Sequence, residues 1–206
     1  MDRREQLTAG IVDRELAMFQ AVPNAGGKAP CQEDIRTFRI MRSSQMASWS
    51  EAALESYLQD LKEAEDAGRN LLTEKYARMM QSTWPEEYAR IEPLLRKVDP
   101  RGLELAGEIV DIVLSWEREL LERYPYIVRR GRPISSAEDS PGVTSLETYL
   151  RGELATYSVK TLELCLARVK DQRAEGVNGS AVILAQTMRQ YGFASLEEAN
   201  ERLKPQ

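Results

Sequence analysis

The 206 residues contain no histidine and only two cysteines, and carry a net charge of −5. Without histidine, a Ser-His-Asp or Cys-His dyad, a His-bound zinc, a proximal-His haem and a Glu-x-x-His di-iron bundle are all excluded. Cys31 and Cys165 are too few for a disulfide framework, and the acidic balance argues against nucleic acid as a partner, since phosphate binding needs a concentrated basic face. The length suits a single domain of two lobes, 1–206. No apolar run nears the roughly 18–20 residues that span a bilayer, and MDRREQLTAG has no signal-peptide core, so the expectation is a cytoplasmic protein with no membrane partner.

Nearly every segment reads as helix. Leu7, Ile11, Val12, Leu16 and Phe19 recur at helical spacing over 3–21, and Val22-Pro23 with Gly26-Gly27 ends that run. A helix over about 34–47 opens at Asp34, and the next, about 50–67, opens at a Ser48-x-x-Glu51 capping box and stops at Gly68. Two shorter helices, 70–82 and 85–97, flank Thr83-Trp84-Pro85, and Asp99-Pro100 opens a long one to about Arg123. Residues 124–143 show no periodicity, the signature of a functional or disordered loop. Thr144-x-x-Glu147 then opens a helix predicted to continue to about Glu175, with helices 180–191 and 196–203 closing the chain. Nothing alternates with period two, so the fold class is all-α, a helical bundle of about eight to nine helices.

The chain matches itself at a constant offset of 108 residues. Ser50/Ser158, Leu54/Leu162, Glu55/Glu163, Leu58/Leu166, Lys62/Lys170, Gly68/Gly176 and Asn70/Asn178 coincide without a gap, and Trp49 corresponds to Tyr157. The pattern predicts two tandem, internally repeated halves, about 3–97 and 100–203, with a cleft between them.

Charges fall where a bland core would have Leu. Glu15 projects between Ile11 and Phe19; Arg42 among Ile35, Phe38 and Met46; Lys75 between Leu71 and Met79; Glu153 among Leu146, Leu150 and Tyr157. At the repeat offset, Glu153 corresponds to Gln45. A carboxylate on such a face is costly to bury unless paired. The bland alternatives are a structural Glu15–Arg42 pair and a Lys75 that snorkels to water. Cys31, in APCQED just before a helix, is placed for a lowered thiol pKa, although a lone cysteine is more often a small buried residue. Arg129, Arg130 and Arg132 form the one compact basic cluster.

The strings NAGGKAPCQEDIRTFRIMRSSQMASWS, AGRNLLTEKYARMM and RGRPISSAEDSPGVTSLETYLRGELATYS resemble a bacterial family catalogued as domain of unknown function 4125. The resemblance runs from about Glu15 to Glu198 and departs at Leu16, where the family has an aromatic. It implies no activity. It does place Cys31, Gln32, Asp34, Arg42, Gln45, Arg69, Asn70, Glu74, Lys75, Glu147 and Glu153 within the family pattern.

Three readings follow. In the first, a small polar anionic metabolite is bound and transformed in the cleft. Arg42, Lys75, Arg69 and Arg132 clamp it with Gln45, and Glu15 or Glu153, its pKa raised by apolar surroundings, or the Cys31 thiol, supplies the chemistry, without any cofactor. In the second, Mg²⁺ or Mn²⁺ held by carboxylates drawn from Glu15, Glu153, Glu117 and Asp139 acts on phosphate esters or nucleotides. In the third, the chain is a non-catalytic helical interaction module. The first is preferred; substrate and oligomeric state are not legible.

Overall fold

A computed structural model describes residues 1–24 and 27–205. Among them the chain forms twelve α-helices and no strand: α1 Arg3–Gln20, α2 Pro30–Glu33, α3 Ile35–Met46, α4 Glu51–Asp66, α5 Leu71–Thr83, α6 Pro85–Ile91, α7 Pro100–Arg123, α8 Pro125–Val128, α9 Leu146–Leu154, α10 Val159–Ala174, α11 Gly179–Gln190 and α12 Leu196–Arg202. Gly26, half of the expected stop after α1, lies outside the described residues. No helix among them is long and apolar enough to cross a membrane.

The helix count exceeds the expected eight to nine for two local reasons. Single turns led by proline, α2 and α8, form where periodicity is too short to register, and α8 occupies part of the stretch read as an unpatterned loop. The segment expected as one helix over 144–175 is instead two. It breaks at Ala155–Ser158, where the Ser158 side chain accepts from Thr161 N and caps α10, while Asp60 accepts the Ser158 N–H at 3.0 Å.

Two capping boxes are also displaced. Ser50, not Ser48, caps α4 by accepting from Ala53 N, and Ser145, not Thr144, caps α9 by accepting from Thr148 N. Glu147, read as the partner of Thr144, accepts from Ser136 and pairs with Arg151. Asp34 and Asp99 cap as their sequences predict, and Ser195 caps α12 by accepting from Glu198 N.

Around α4 and α10 the local structure is alike. Each opens at a serine cap and ends at a glycine with positive φ, Gly68 at 66° and Gly176 at 69°. The residue after each glycine donates back to a helix carbonyl at 2.7 Å, Arg69 to Ala64 and Val177 to Gln172. Asn70 and Asn178 then cap α5 and α11, and their amides reach Met18 O at 2.8 Å and Trp116 O at 3.1 Å on the two long helices. In packing, α1 lies on α4 and α7 on α10, while α5 lies on α9 and α11 on α3. The last two pairings each join one half of the chain to the other.

The main core draws on both halves, with Ile11, Leu54, Leu61, Leu105, Val110 and Leu162 almost fully buried. Each such side chain stabilises the fold by about 1.5–3 kcal/mol relative to exposure. A smaller cluster of Leu120, Tyr124, Ile127, Leu196 and Ala199 fixes α12 against α8 and the end of α7.

Candidate functional site

Glu15 on α1, Arg42 on α3, Lys75 on α5 and Glu153 on α9 meet in one buried chain of ion pairs. Glu15 is 0% exposed, Glu153 3%, Lys75 4% and Arg42 6%. Arg42 Nε donates to Glu15 Oε2 at 2.7 Å, and its second terminal nitrogen donates to Glu15 Oε1, a two-pronged pairing of guanidinium and carboxylate. Arg42 Nη1 turns the other way, to Glu153 Oε1 at 3.0 Å and Gln45 Oε1 at 2.5 Å. Lys75 Nζ donates to Glu153 Oε2 at 2.6 Å and lies 3.5 Å from the centroid of the Tyr149 ring.

The remaining acceptor sites are filled by neutral donors. Tyr57 Oη donates to Glu15 Oε1 at 2.7 Å, Tyr157 Oη to Glu153 Oε1 at 2.8 Å, and Gln45 Nε2 to Glu153 Oε1 at 3.1 Å. Two carboxylates and two cations give a cluster of no net charge, and every carboxylate oxygen in it accepts a hydrogen bond. That is the condition under which buried charge is tolerated.

These contacts set the protonation states. Burial alone would raise the Glu153 carboxyl, but Arg42 and Lys75 outweigh it and hold it well below the usual carboxylate range. Burial would lower the Arg42 guanidinium, but Glu15 and Glu153 drive it well above its usual value. Tyr57 and Tyr157 are pushed well above the usual phenol value, first by burial and then by the neighbouring carboxylates, and stay neutral donors. The expectation of a Glu153 carboxyl raised by apolar surroundings is therefore corrected: the face is apolar in sequence, but the two cations reach it from α3 and α5.

One flank of this cluster forms part of the wall of an open cavity of about 610 Å³, lined chiefly by α3, α7, α9, α10, α11 and the segment after α8. Arg42, Gln45, Glu153 and Tyr157 contribute that wall. Aromatic groups supply much of the rest, including Phe38, which stacks on Phe19 at 5.0 Å between centroids, and Trp49, edge-on to Tyr157 at 5.9 Å. Exposed Cys31 and Arg132 lie on the lining as well.

Arg132 donates to Thr144 O at 2.9 Å and stands 4.9 Å from the Tyr149 ring centroid. Arg168, on α10, also lines the cavity and donates through Nε to Ser48 O at 3.2 Å. Neither arginine has a carboxylate within ion-pair distance among the described residues. Arg168 escapes a reading of the sequence because it sits on α10 among Cys165, Leu166 and Val169 with no partner motif. Arg69 stands apart from the cavity lining, in a two-pronged pair with Glu74 at 2.8 Å.

Among the described residues no group of three or more Cys, Asp or Glu side chains is placed to hold a metal ion. Glu15 and Glu153 are held by cations, and Asp139 accepts from Ser145 N and the Thr148 hydroxyl. The convergence of carboxylates that a Mg²⁺ or Mn²⁺ site needs is not formed by this set.

The model of the family described as "Protein of unknown function (DUF4125)" matches residues 5–201. The chain belongs to that family. The match includes all of the ion-pair chain and both unpaired arginines. No curated protein and no solved structure matches this member of the DUF4125 family. The family description assigns no activity, so chemistry must be argued from the geometry alone.

Proposed function

We propose that the cavity binds a small organic anion with an apolar or aromatic body, held by Arg168 and Arg132 and seated against the Arg42–Gln45–Glu153–Tyr157 wall. The single observation that carries this is a pair of arginines lining a largely apolar cavity without a carboxylate partner among the described residues. A guanidinium with free N–H groups in such surroundings is best satisfied by a carboxylate or phosphate. Arg42 and Lys75 are already neutralised by Glu15 and Glu153, so they position and shape the wall rather than supply the charge. Glu153, held ionised, suits that structural role better than general-acid chemistry.

The architecture supports the same reading. In it, α1, α3, α4 and α5 form one unit, α7, α9, α10 and α11 its duplicate, and the cavity lies at their junction. The matching caps of α4 and α10, the matching glycine stops and the reciprocal pairings of α5 with α9 and α11 with α3 support duplication. Cys31 and Cys165 are free thiols, which fits a reducing cytoplasmic setting.

The test is thermal denaturation with straight-chain and aromatic carboxylic acids against their neutral amides. The acids should raise Tm with concentration while the amides do not, and Arg168→Gln should remove most of the effect. If no acid shifts Tm, or if acids and amides act equally in both proteins, the anion site is wrong and the helical interaction module becomes the better reading.

A further inference from the structure

Glu117 is the one acid on the cavity lining, among the described residues, that neither an ion pair nor a capping bond accounts for. The acids there are Asp34, Glu117 and Glu153. Asp34 is an exposed cap for α3, and Glu153 is saturated by Arg42, Lys75, Gln45 and Tyr157. Glu117 lies partly buried on α7 between Trp116 and the next turn's Leu120, facing Ser180 at the start of α11. No cation lies within ion-pair distance of it among the described residues.

The position of Glu117 relative to Arg168 follows from helix register. α7 and α10 run side by side in the same direction, since a Cβ on Gly102 would lie 3.5 Å from Leu162 while Glu108 pairs with Lys170 at 2.7 Å. Arg168 is therefore level with a point about ten residues before Glu117, or about 15 Å along the axis at about 1.5 Å per residue. Arg168 and Glu117 thus stand at separate levels of the lining, with Ile109, Val113 and Trp116 on the α7 wall between those levels.

We propose that Glu117 and the Ser180 hydroxyl form a second subsite that takes an ammonium group, so that the ligand is an elongated zwitterion, anionic at one end and an amine at the other. This rests on the anion-binding reading of Arg168 and Arg132 and adds the identity of the opposite end. An ionised carboxylate partly buried on this wall with no countercharge is unfavourable, and a neutral donor would leave that charge uncompensated. A ligand ammonium removes it, donating one N–H to Glu117 and leaving others for Ser180. Burial holds the free Glu117 carboxyl above the usual range, with only the Ser180 hydroxyl acting the other way, and a bound ammonium would lower it.

The probes are aminohexanoate, aminooctanoate and aminoundecanoate, each terminally aminated, against hexanoate, octanoate and undecanoate. Calorimetric titration of the wild-type protein should show at least one amino acid of the series binding about tenfold more tightly than its parent acid. Glu117→Gln should erase that gain while leaving the parent acid's Kd unchanged, and Ser180→Ala should reduce it. Parent acids that bind as well as, or better than, every aminated partner would overturn the ammonium subsite and leave the anion reading standing. Absence of binding by both series would overturn both. If Glu117→Gln does not fold, the wild-type comparison and Ser180→Ala still decide.

Discussion

Gln45 and Glu153, 108 residues apart in the chain, are hydrogen bonded to each other: Gln45 Nε2 donates to Glu153 Oε1 at 3.1 Å. Both also touch Arg42 Nη1. One guanidinium therefore ties α3 to α9, with an amide on one side and a carboxylate on the other. If both positions held Glu, three carboxylates would face two cations; if both held Gln, Lys75 would lose its carboxylate.

Glu153→Gln should accordingly destabilise the fold by about 3–5 kcal/mol, because Lys75 is left buried without a countercharge and Arg42 retains only Glu15. Urea denaturation checks this. Replacing Lys75 with Met in the same chain should recover part of the loss, since the stranded cation is then gone. A single mutant as stable as wild type would mean that Lys75 finds water or another partner.

The pH dependence has a sign fixed by the same contacts. The folded Glu153 carboxyl titrates below its unfolded value, so its contribution is complete above the unfolded value of about 4.3 and is lost as pH falls below that toward the lowered folded one. Glu117 is raised, so its ionisation costs stability as pH rises through and above the same unfolded value. Melts of Glu153→Gln should therefore lose part of the acid-side decline in Tm, whereas those of Glu117→Gln should gain on wild type from acid to neutral pH. Parallel Tm–pH curves for all three proteins would contradict both directions.

Gly152→Ala tests how closely α5 and α9 must approach. A Cβ at Gly152 would lie 3.0 Å from Lys75 O and from Met79 Cγ, within the same turn of α5 that carries the Lys75 bond to Glu153. The expected loss is about 1–3 kcal/mol, from overpacking. Measured by chemical denaturation, a neutral or stabilising substitution would show that the helices separate without penalty.

Ser50→Ala and Ser158→Ala should each cost about 1 kcal/mol, since both side chains accept the N–H three residues on, at the starts of α4 and α10. Ser158 also donates its side chain to Thr161 Oγ1 and its N–H to Asp60, so the larger loss is expected there. A melt showing Ser50 the more sensitive would reverse that assignment.

Much of the helical framework is legible in the residues themselves. The apolar stripes of α1, α3, α4, α5, α7 and α9 are plain because helical periodicity records which face is buried, and the same stripes expose Glu15, Arg42, Lys75 and Glu153 as charges that have to find partners. The break between α9 and α10 is less plain, because Leu146 through Leu166 keeps helical spacing across it. Its signal is nonetheless present in the match of Ser158 to Ser50, a serine cap at the corresponding position.

Sequence alone thus determined helix content, the absence of histidine chemistry and the burial of four ionisable groups, all properties of local pattern and composition. Tertiary structure decided which charges neutralise which: Arg42 and Lys75, read as free anion clamps, are consumed by carboxylates from α1 and α9, while Arg168, unremarkable in its own helix, and Glu117, weighed only as a metal ligand, have no ion-pair partner among the described residues on the cavity lining. The reason is physical. Periodicity reports the direction a side chain takes from its own helix, but pairing and pKa depend on which other helix lies within a few ångströms, and only packing sets that distance.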